Sequence, residues 1–461
     1  MSSPNTRLMP VTATISSEDH LLIGGLDTVE LAERFGTPLW VMDYQTIVQA
    51  VSACRDGLAA GFLEAGNGSR GAGGAGSGSA AGASVLYAGK AFTCLAMGRI
   101  VRRLGLGLDV VSEGELFTAL RAGVDPETIF LHGNNKSDSE LERALLAGPV
   151  TVVVDGVGEL ERLDRLASRL ERKARILVRV TPGVEPDTHD HIKTGQADSK
   201  FGVPLADVPN FVRRCLSMPE TIAFRGLHAH IGSQSHDIEP YLRIVDILAD
   251  LALRLKEMGV EVEMLDLGGG LGIAYTEKDR PLPLYTWARE LSAAAVMAFA
   301  SRKLTMPHLL LEPGRSIIGP AGVTIYRAGD TKEFLSGVRY VSLDGGMADN
   351  PRPATYNALY TARIASRMSA IGTDDVTTLV GRYCESGDII IKDAGIPVRT
   401  GDLVAIFATG AYNYSMSSNY NRTGRPACVL VDDSKAELIL RRETLEDLIC
   451  QDRVPDWLTD D

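Results

Sequence analysis

From Val85 onward the chain repeats one pattern eight times: a short apolar or β-branched run, then an amphipathic helical stretch. The runs are VLYAG (85–89), LGLDVVS (106–112), TIFLHG (128–133), VTVVVD (150–155), RILVRVTP (175–182), FRGLHAHIG (224–232), MLDLGGG (264–270) and HLLLEPG (308–314). Helical spacing of apolar residues marks 113–122, 139–147, 158–171 and 240–258, the last through Leu242, Val245, Leu248, Ala249 and Leu255. Such alternation predicts a parallel β/α protein. Eight repeats favour a closed (β/α)8 barrel of the TIM type over an open doubly wound sheet.

Past about residue 318 the texture changes. Short runs such as RYVSLDGG, TTLVG, GDIII, LVAIFAT and PACVLV are punctuated by Gly-Asp, Asp-Gly and Ser-Gly, which reads as an all-β domain. The expected organisation has three parts. Residues 1–45 supply N-terminal strands that join the β domain, 46–318 form the barrel, and 319–461 form a C-terminal β-sandwich or β-barrel-like domain. A helix is expected over about 44–64. After it comes GNGSRGAGGAGSGSAAG (66–82), whose Gly, Ala and Ser cannot bury enough apolar surface to offset their ordering entropy. It reads as a flexible surface insertion, and no strand before it or Lys-Ser/Thr after it suggests a phosphate-binding P-loop.

Composition narrows the function classes. Lys and Arg number 47 against 59 Asp and Glu, a net charge of −12, which disfavours nucleic acid or an anionic membrane as the main partner. Six scattered cysteines without a C-x-x-C pair fit reduced thiols better than disulfides or a zinc site. The N-terminus lacks the apolar region of a secretory signal, and the longest apolar run, around 293–300, is too short to span a bilayer. These features predict a soluble, cytoplasmic protein.

In a (β/α)8 barrel the functional groups stand where strands end. Lys90 follows the first run, Asp109 lies in the second, and His228, His230, Gly232 and Ser233 end the sixth. Gly268, Gly269 and Gly270 end the seventh; Glu312, Pro313, Gly314 and Arg315 end the eighth. A lysine at a barrel mouth can have a depressed pKa and form a Schiff base with an aldehyde cofactor, although a surface lysine paired with a carboxylate is the commoner case. The glycine triplet is either a tight turn or a nest of N–H groups for a phosphate. Its place beside Gly314, on the loops after strands 7 and 8, favours the phosphate. His228 and His230 lack a convincing third metal ligand, which argues against zinc. A histidine over a flat aromatic cofactor suits them better. A carboxylate such as Glu312 can hold a pyridinium N–H. Lysine, histidine, glycine nest and glutamate together describe a pyridoxal phosphate site.

The ordered motifs YAGKA, DVVSEGEL, GLHAHIGSQ, LDLGGGLGI and LLLEPGR, followed by DGGMADNPRPATY, CESGD and ATGAYNYSMSSNYN, resemble those of the diaminopimelate decarboxylases. These are alanine-racemase-like, fold-type III pyridoxal phosphate enzymes. The resemblance runs from about Gly24 to Leu440, interrupted by the 66–82 insertion. It implies that Lys90 carries pyridoxal 5'-phosphate, His230 stacks on the ring and Glu312 pairs with the pyridine nitrogen. Asp109, Ser233, Gly268, Gly269, Gly270, Pro313, Gly314, Arg315 and Tyr412 would complete the cofactor site. Arg315, Arg352 and Tyr356 would hold the far carboxylate of meso-diaminopimelate and Glu385 its far ammonium, with Tyr412 also touching the substrate. Cys384 would return a proton after carbon dioxide leaves. The family pattern further implies a homodimer with shared sites, CESGD reaching the cofactor from the partner. One departure is Gly89, where the family usually has a larger apolar residue.

Sibling decarboxylases of ornithine, arginine, lysine or carboxynorspermidine are the nearest rivals. Their substrates lack a far carboxylate, so paired arginines would be wasted on them. A cofactor-free regulator of the same fold is a rival of another class, against which the retention of Lys90, His230, Glu312 and Cys384 counts.

Overall fold

The computed structural model describes residues 3–66, 82–184, 199–335, 337–370, 372 and 377–458; the greater part of the 66–82 insertion lies outside the described residues. The chain divides into two compact units. The first holds Met1–Arg7, Thr46–Ala274 and Lys278–Pro320; the second holds Leu8–Gln45, Tyr275–Glu277 and Ala321–Asp461.

In the first unit eight parallel strands close on themselves: Ala83–Ala88, Gly107–Val110, Ile129–Leu131, Thr151–Val154, Ala174–Thr181, Ile222–His228, Met264–Asp266 and His308–Leu311. The eighth returns to the first through the register Leu309–Ala83 and Leu311–Val85. This is the closed TIM-type barrel that the eightfold repeat predicts. Side chains two apart on a strand share a face, and that period builds the interior. Leu86, Phe130, Val153, Leu177 and Leu310, from five different strands, pack into one buried cluster with Met264 against it. The barrel is therefore filled, and its floor is apolar. Two residues further along the third, fifth, seventh and eighth of these strands, and on the second and sixth, stand Asp109, His132, Arg179, His228, Asp266 and Glu312, all buried. One step of a β period turns an apolar layer into a charged one at the C-terminal mouth.

The helices between strands start where the sequence supplies caps. Ser112 accepts from the Glu115 N–H ahead of Glu113–Ala122, and Ser137 with Glu140 forms a capping box ahead of Asp138–Ala147. The helix Tyr44–Glu64 precedes the first strand and runs close against Leu284–Ser301. A Cβ at Gly61 would lie 2.2 Å from the Arg289 carbonyl, so glycine permits that approach. Residues 3–7 pack with this unit and not with the N-terminal strands. Asn5 donates to the carbonyls of Gly272 and Leu282 and accepts from the Leu284 N–H at 3.0 Å.

The second unit is built on a mixed sheet around the long strand Gly322–Glu333. That strand pairs antiparallel with Leu39–Asp43, Leu403–Phe407 and Arg339–Leu343. Leu39–Asp43, from the N-terminal part of the chain, pairs in parallel with Ala427–Asp432 on its other side. Leu39, Val41, Val323, Ile325, Leu403, Phe407 and Val429 supply one buried core. Short helices, Thr28–Phe35 and Arg352–Tyr356 among them, decorate the sheet. Among the described residues no helix is long and apolar enough to cross a membrane.

Candidate active site

Lys90 sits in a single helical turn, Gly89–Ala91, immediately past the first barrel strand. Its Nζ lies 3.6 Å from Oδ2 of Asp109, whose side chain is buried while that of Lys90 is 37% exposed. Glycine at 89 has a local cause: a Cβ there would meet the Asp109 carbonyl at 2.8 Å and Thr93 Oγ1 at 2.9 Å. The backbone after strand 1 thus closes on strand 2, leaving no room for the larger residue usual in the family pattern.

Behind this pair stands a network of buried acids and imidazoles. Nε2 of His132 is 2.8 Å from Oε1 of Glu312 and 3.8 Å from Oδ1 of Asp109, and Nε2 of His228 is 3.6 Å from Oε2 of Glu312. Burial alone would raise the Glu312 carboxyl, but the two imidazoles outweigh it and hold the group well below the usual carboxylate range. Asp266 goes the other way, raised by burial and then by the neighbouring Glu312. Burial likewise pushes Asp109 up, with His132 and Lys90 pulling back. Of these acids, only Glu312 is shifted toward its charged form. Burial brings His228 down to about 4, and burial together with Lys90 keeps His230 well below its ordinary value. Both rings are neutral at physiological pH. Nδ1 of His230 accepts from the Gly269 N–H at 3.2 Å, so the ring proton belongs on Nε2.

Sequence alone offers no convincing third ligand beside His228 and His230. The structure places His132 and Glu312 with His228, ligand atoms within 4.8 Å of one another, while His230 turns to the glycine loop.

That loop cannot carry side chains. Gly268 and Gly270 have φ of +65° and +101°, and a Cβ on Gly269 would lie 2.0 Å from the Glu312 carbonyl. The Gly268 N–H is tied to Asp266 Oδ1 at 2.8 Å. On the adjoining loops Arg315 donates to Ser233 Oγ at 2.9 Å, and a Cβ on Gly314 would meet Ala88 at 2.9 Å. Two glycine-lined loops and a serine–arginine pair at a barrel mouth make a cradle suited to a phosphate. Gly269→Ala is expected to destabilise the protein by about 1–3 kcal/mol, because backbone on both sides must move. It should also weaken pyridoxal phosphate binding to the cofactor-stripped protein; thermal melts and a fluorescence titration read the two effects.

The second unit holds the remaining expected residues. Arg352 opens its short helix almost fully buried, with its guanidinium donating to the Tyr360 hydroxyl and its carbon 4.6 Å from the centre of the Tyr275 ring. Tyr356 is half-buried on the same helix. Tyr412 has φ +64°, a left-handed backbone that costs a bulky residue about 1–3 kcal/mol and tends to occur at functional sites. Cys384 and Glu385 lie exposed on the loop between Thr377–Val380 and Ile389–Ile391, where Glu385 accepts from the Tyr420 hydroxyl. Burial pushes the Cys54 and Cys215 thiols up to about 12, which makes them unreactive, whereas Cys384 is open to solvent.

Comparison with known proteins agrees with this chemistry. Residues 78–319 match the family described as pyridoxal-dependent decarboxylase, pyridoxal binding domain. A diaminopimelate decarboxylase from Synechocystis sp. is 42% identical over 99% of this chain and 95% of its own length. The chain belongs to the diaminopimelate decarboxylase family. The family's member from Bacillus subtilis is 41% identical over 95% of this chain and 96% of its own. The crystal structure of the M. jannaschii diaminopimelate decarboxylase in complex with L-lysine matches with a TM-score of 0.87 at 34% identity, covering 98% of this chain and 100% of that one. Members of the family are enzymes, pyridoxal-dependent decarboxylases, and so is this chain.

Sequence reasoning missed His132 and Arg179, in the buried charged layer of the barrel unit, and Tyr275, Tyr360 and Asn413, grouped with Arg352 in the second unit. The first two had a signal. Each ends a strand-like run, TIFLH and RILVR, and stands two residues past an apolar position of the barrel floor. Arg179 lies over the Phe201 ring at 4.2 Å. Tyr275, Tyr360 and Asn413 come from three separate segments and had none.

Proposed function

We propose that this enzyme decarboxylates meso-2,6-diaminopimelate to L-lysine and carbon dioxide, the last step of lysine biosynthesis by the diaminopimelate route. The observation that carries the substrate is Arg352. The residue is 6% exposed and, among the described residues, its guanidinium has no carboxylate within 4 Å. An uncompensated buried charge costs several kcal/mol, so the residue is suited to an anion that arrives with the substrate. A second carboxylate, far from the reacting one, is what distinguishes diaminopimelate from ornithine, arginine or lysine.

The barrel mouth fits pyridoxal 5'-phosphate. Lys90 would be joined to it, Glu312 would hold the pyridine nitrogen, His230 would cover a ring face, and Asp109 would sit beside the lysine. Gly268, Gly269, Gly270, Ser233, Pro313, Gly314, Arg315 and Tyr412 would surround the phosphate. When bound, the cofactor supplies the electron sink that lets the carboxylate leave as carbon dioxide. The remaining tasks belong to side chains. A charged Glu312 keeps a proton on the nitrogen it faces, and a neutral His230 stacks without adding charge. Arg315, Arg352, Tyr356 and Tyr412 hold the far carboxylate and Glu385 the far ammonium, which fixes the end that reacts. Cys384 delivers the proton that replaces the lost carboxylate. In the reading we favour, Cys384 and Glu385 come from the second subunit of a homodimer, and their exposure within one chain supports this.

Release of carbon dioxide from meso-diaminopimelate, with lysine, ornithine and arginine left intact, is the expected result of a direct assay. Turnover of ornithine at a comparable rate would overturn the assignment. Arg352→Ala should lower kcat/KM by about 1.5–3 kcal/mol in transition-state terms, the worth of a charge-assisted contact. Cys54→Ala and Cys450→Ala should change it far less. An unaltered kcat/KM would remove Arg352 from the site.

A further inference from the structure

We infer that Tyr360 and Asn413 are positioning residues that hold the Arg352 guanidinium ready for the far carboxylate of the substrate; the inference rests on the role given to Arg352 above. Arginine has only donors, so in its contact with Arg352 the Tyr360 oxygen must accept. The single hydroxyl hydrogen is then left for Asn413 Oδ1, 3.3 Å away. That direction fixes the amide, with its oxygen toward Tyr360. The Asn413 Nδ2 is buried and, among the described residues, has no hydrogen-bond partner. Tyr275 flanks the guanidinium as well and meets Tyr360 edge to face, ring centres 5.2 Å apart.

These partners share one property: they are neutral. Two aromatic rings, a hydroxyl and an amide steady a buried cation without cancelling its charge. A carboxylate in the place of Asn413 would hold the arginine as firmly and would oppose the substrate's own anion. Asn413 follows the left-handed Tyr412, so the strained turn also sets where the amide stands.

The test is a steady-state comparison of four variants with meso-diaminopimelate. Tyr360→Phe keeps the ring and deletes the acceptor; KM should rise about tenfold, with kcat within about twofold and the melting temperature little changed. Asn413→Leu should raise KM by a similar factor. Asn413→Asp should raise it further, because it sets a negative charge one hydroxyl away from Arg352. A residue that matters only for packing would give the opposite order, since leucine departs from the native polarity more than aspartate does. Unchanged KM in Tyr360→Phe, or Asn413→Asp no worse than Asn413→Leu, overturns the inference. Should Tyr360→Phe fail to fold, the Asn413 pair decides alone. Arg352→Ala, assayed alongside, separates the two levels. If it leaves KM unchanged, the role of Arg352 itself is lost. If it raises KM while Tyr360→Phe does not, only the positioning role is lost.

Discussion

Lys90→Ala is expected to abolish decarboxylation and the visible absorbance of the bound cofactor while the barrel stays folded. Activity should fall by at least about a thousandfold if the amine provides the covalent attachment proposed for it, since a positioned proton-transfer group alone is worth roughly 10²–10⁴. The fold should survive for a reason visible at Asp109. That carboxyl is buried 3.6 Å from Nζ of Lys90, and burial already raises its pKa. Losing the ammonium raises it further, and the group can take up a proton instead of remaining as an uncompensated buried charge. Absorbance spectra, far-ultraviolet circular dichroism and a carbon dioxide assay on the purified variant together check the result. A variant that still turns over near the wild-type rate would exclude Lys90 as the attachment point.

The barrel was legible because its information is local. Each strand overlaps a run of five to nine residues, helical periods recur between the runs, and the eightfold repetition specifies closure without any long-range contact being known. The cofactor end of the site was legible for the same reason, since strand ends can be read directly. His132 and Arg179 obey that rule and were within reach; one step past Phe130 and Leu177 on the same face is enough to find them. Gly89 is different. Its departure from the family pattern has meaning only once the Asp109 carbonyl is seen 2.8 Å from where a side chain would begin. The surroundings of Arg352 are the least legible part. Positions 275, 352–360 and 413 come from three separate stretches of chain and are neither periodic nor charged as a group. Only folding brings the neutral cage around the guanidinium. The attachment of residues 3–7 to the barrel unit is hidden in the same way, because it rests on hydrogen bonds of the buried Ser3 and Asn5.

Mixing two inactive variants should restore activity. Lys90 belongs to the barrel unit, whereas Cys384 and Glu385 lie exposed on a loop of the second unit. If CESGD serves the site of the partner subunit, a twofold dimer has two equivalent composite sites, each taking Lys90 from one chain and Cys384 from the other. Lys90→Ala and Cys384→Ala homodimers would each carry one lesion in every site and be nearly inactive. In a mixed dimer both lesions fall in one site, and the other is intact. Random exchange of equal amounts makes half the dimers mixed, so about a quarter of all sites should regain wild-type activity. If both groups came from the same chain, every site would keep one lesion whatever the mixture. The control is proof that subunits exchange, for example by co-purification of differently tagged chains. With exchange proven, recovery near a quarter establishes the shared site, and a mixture that stays inactive refutes it.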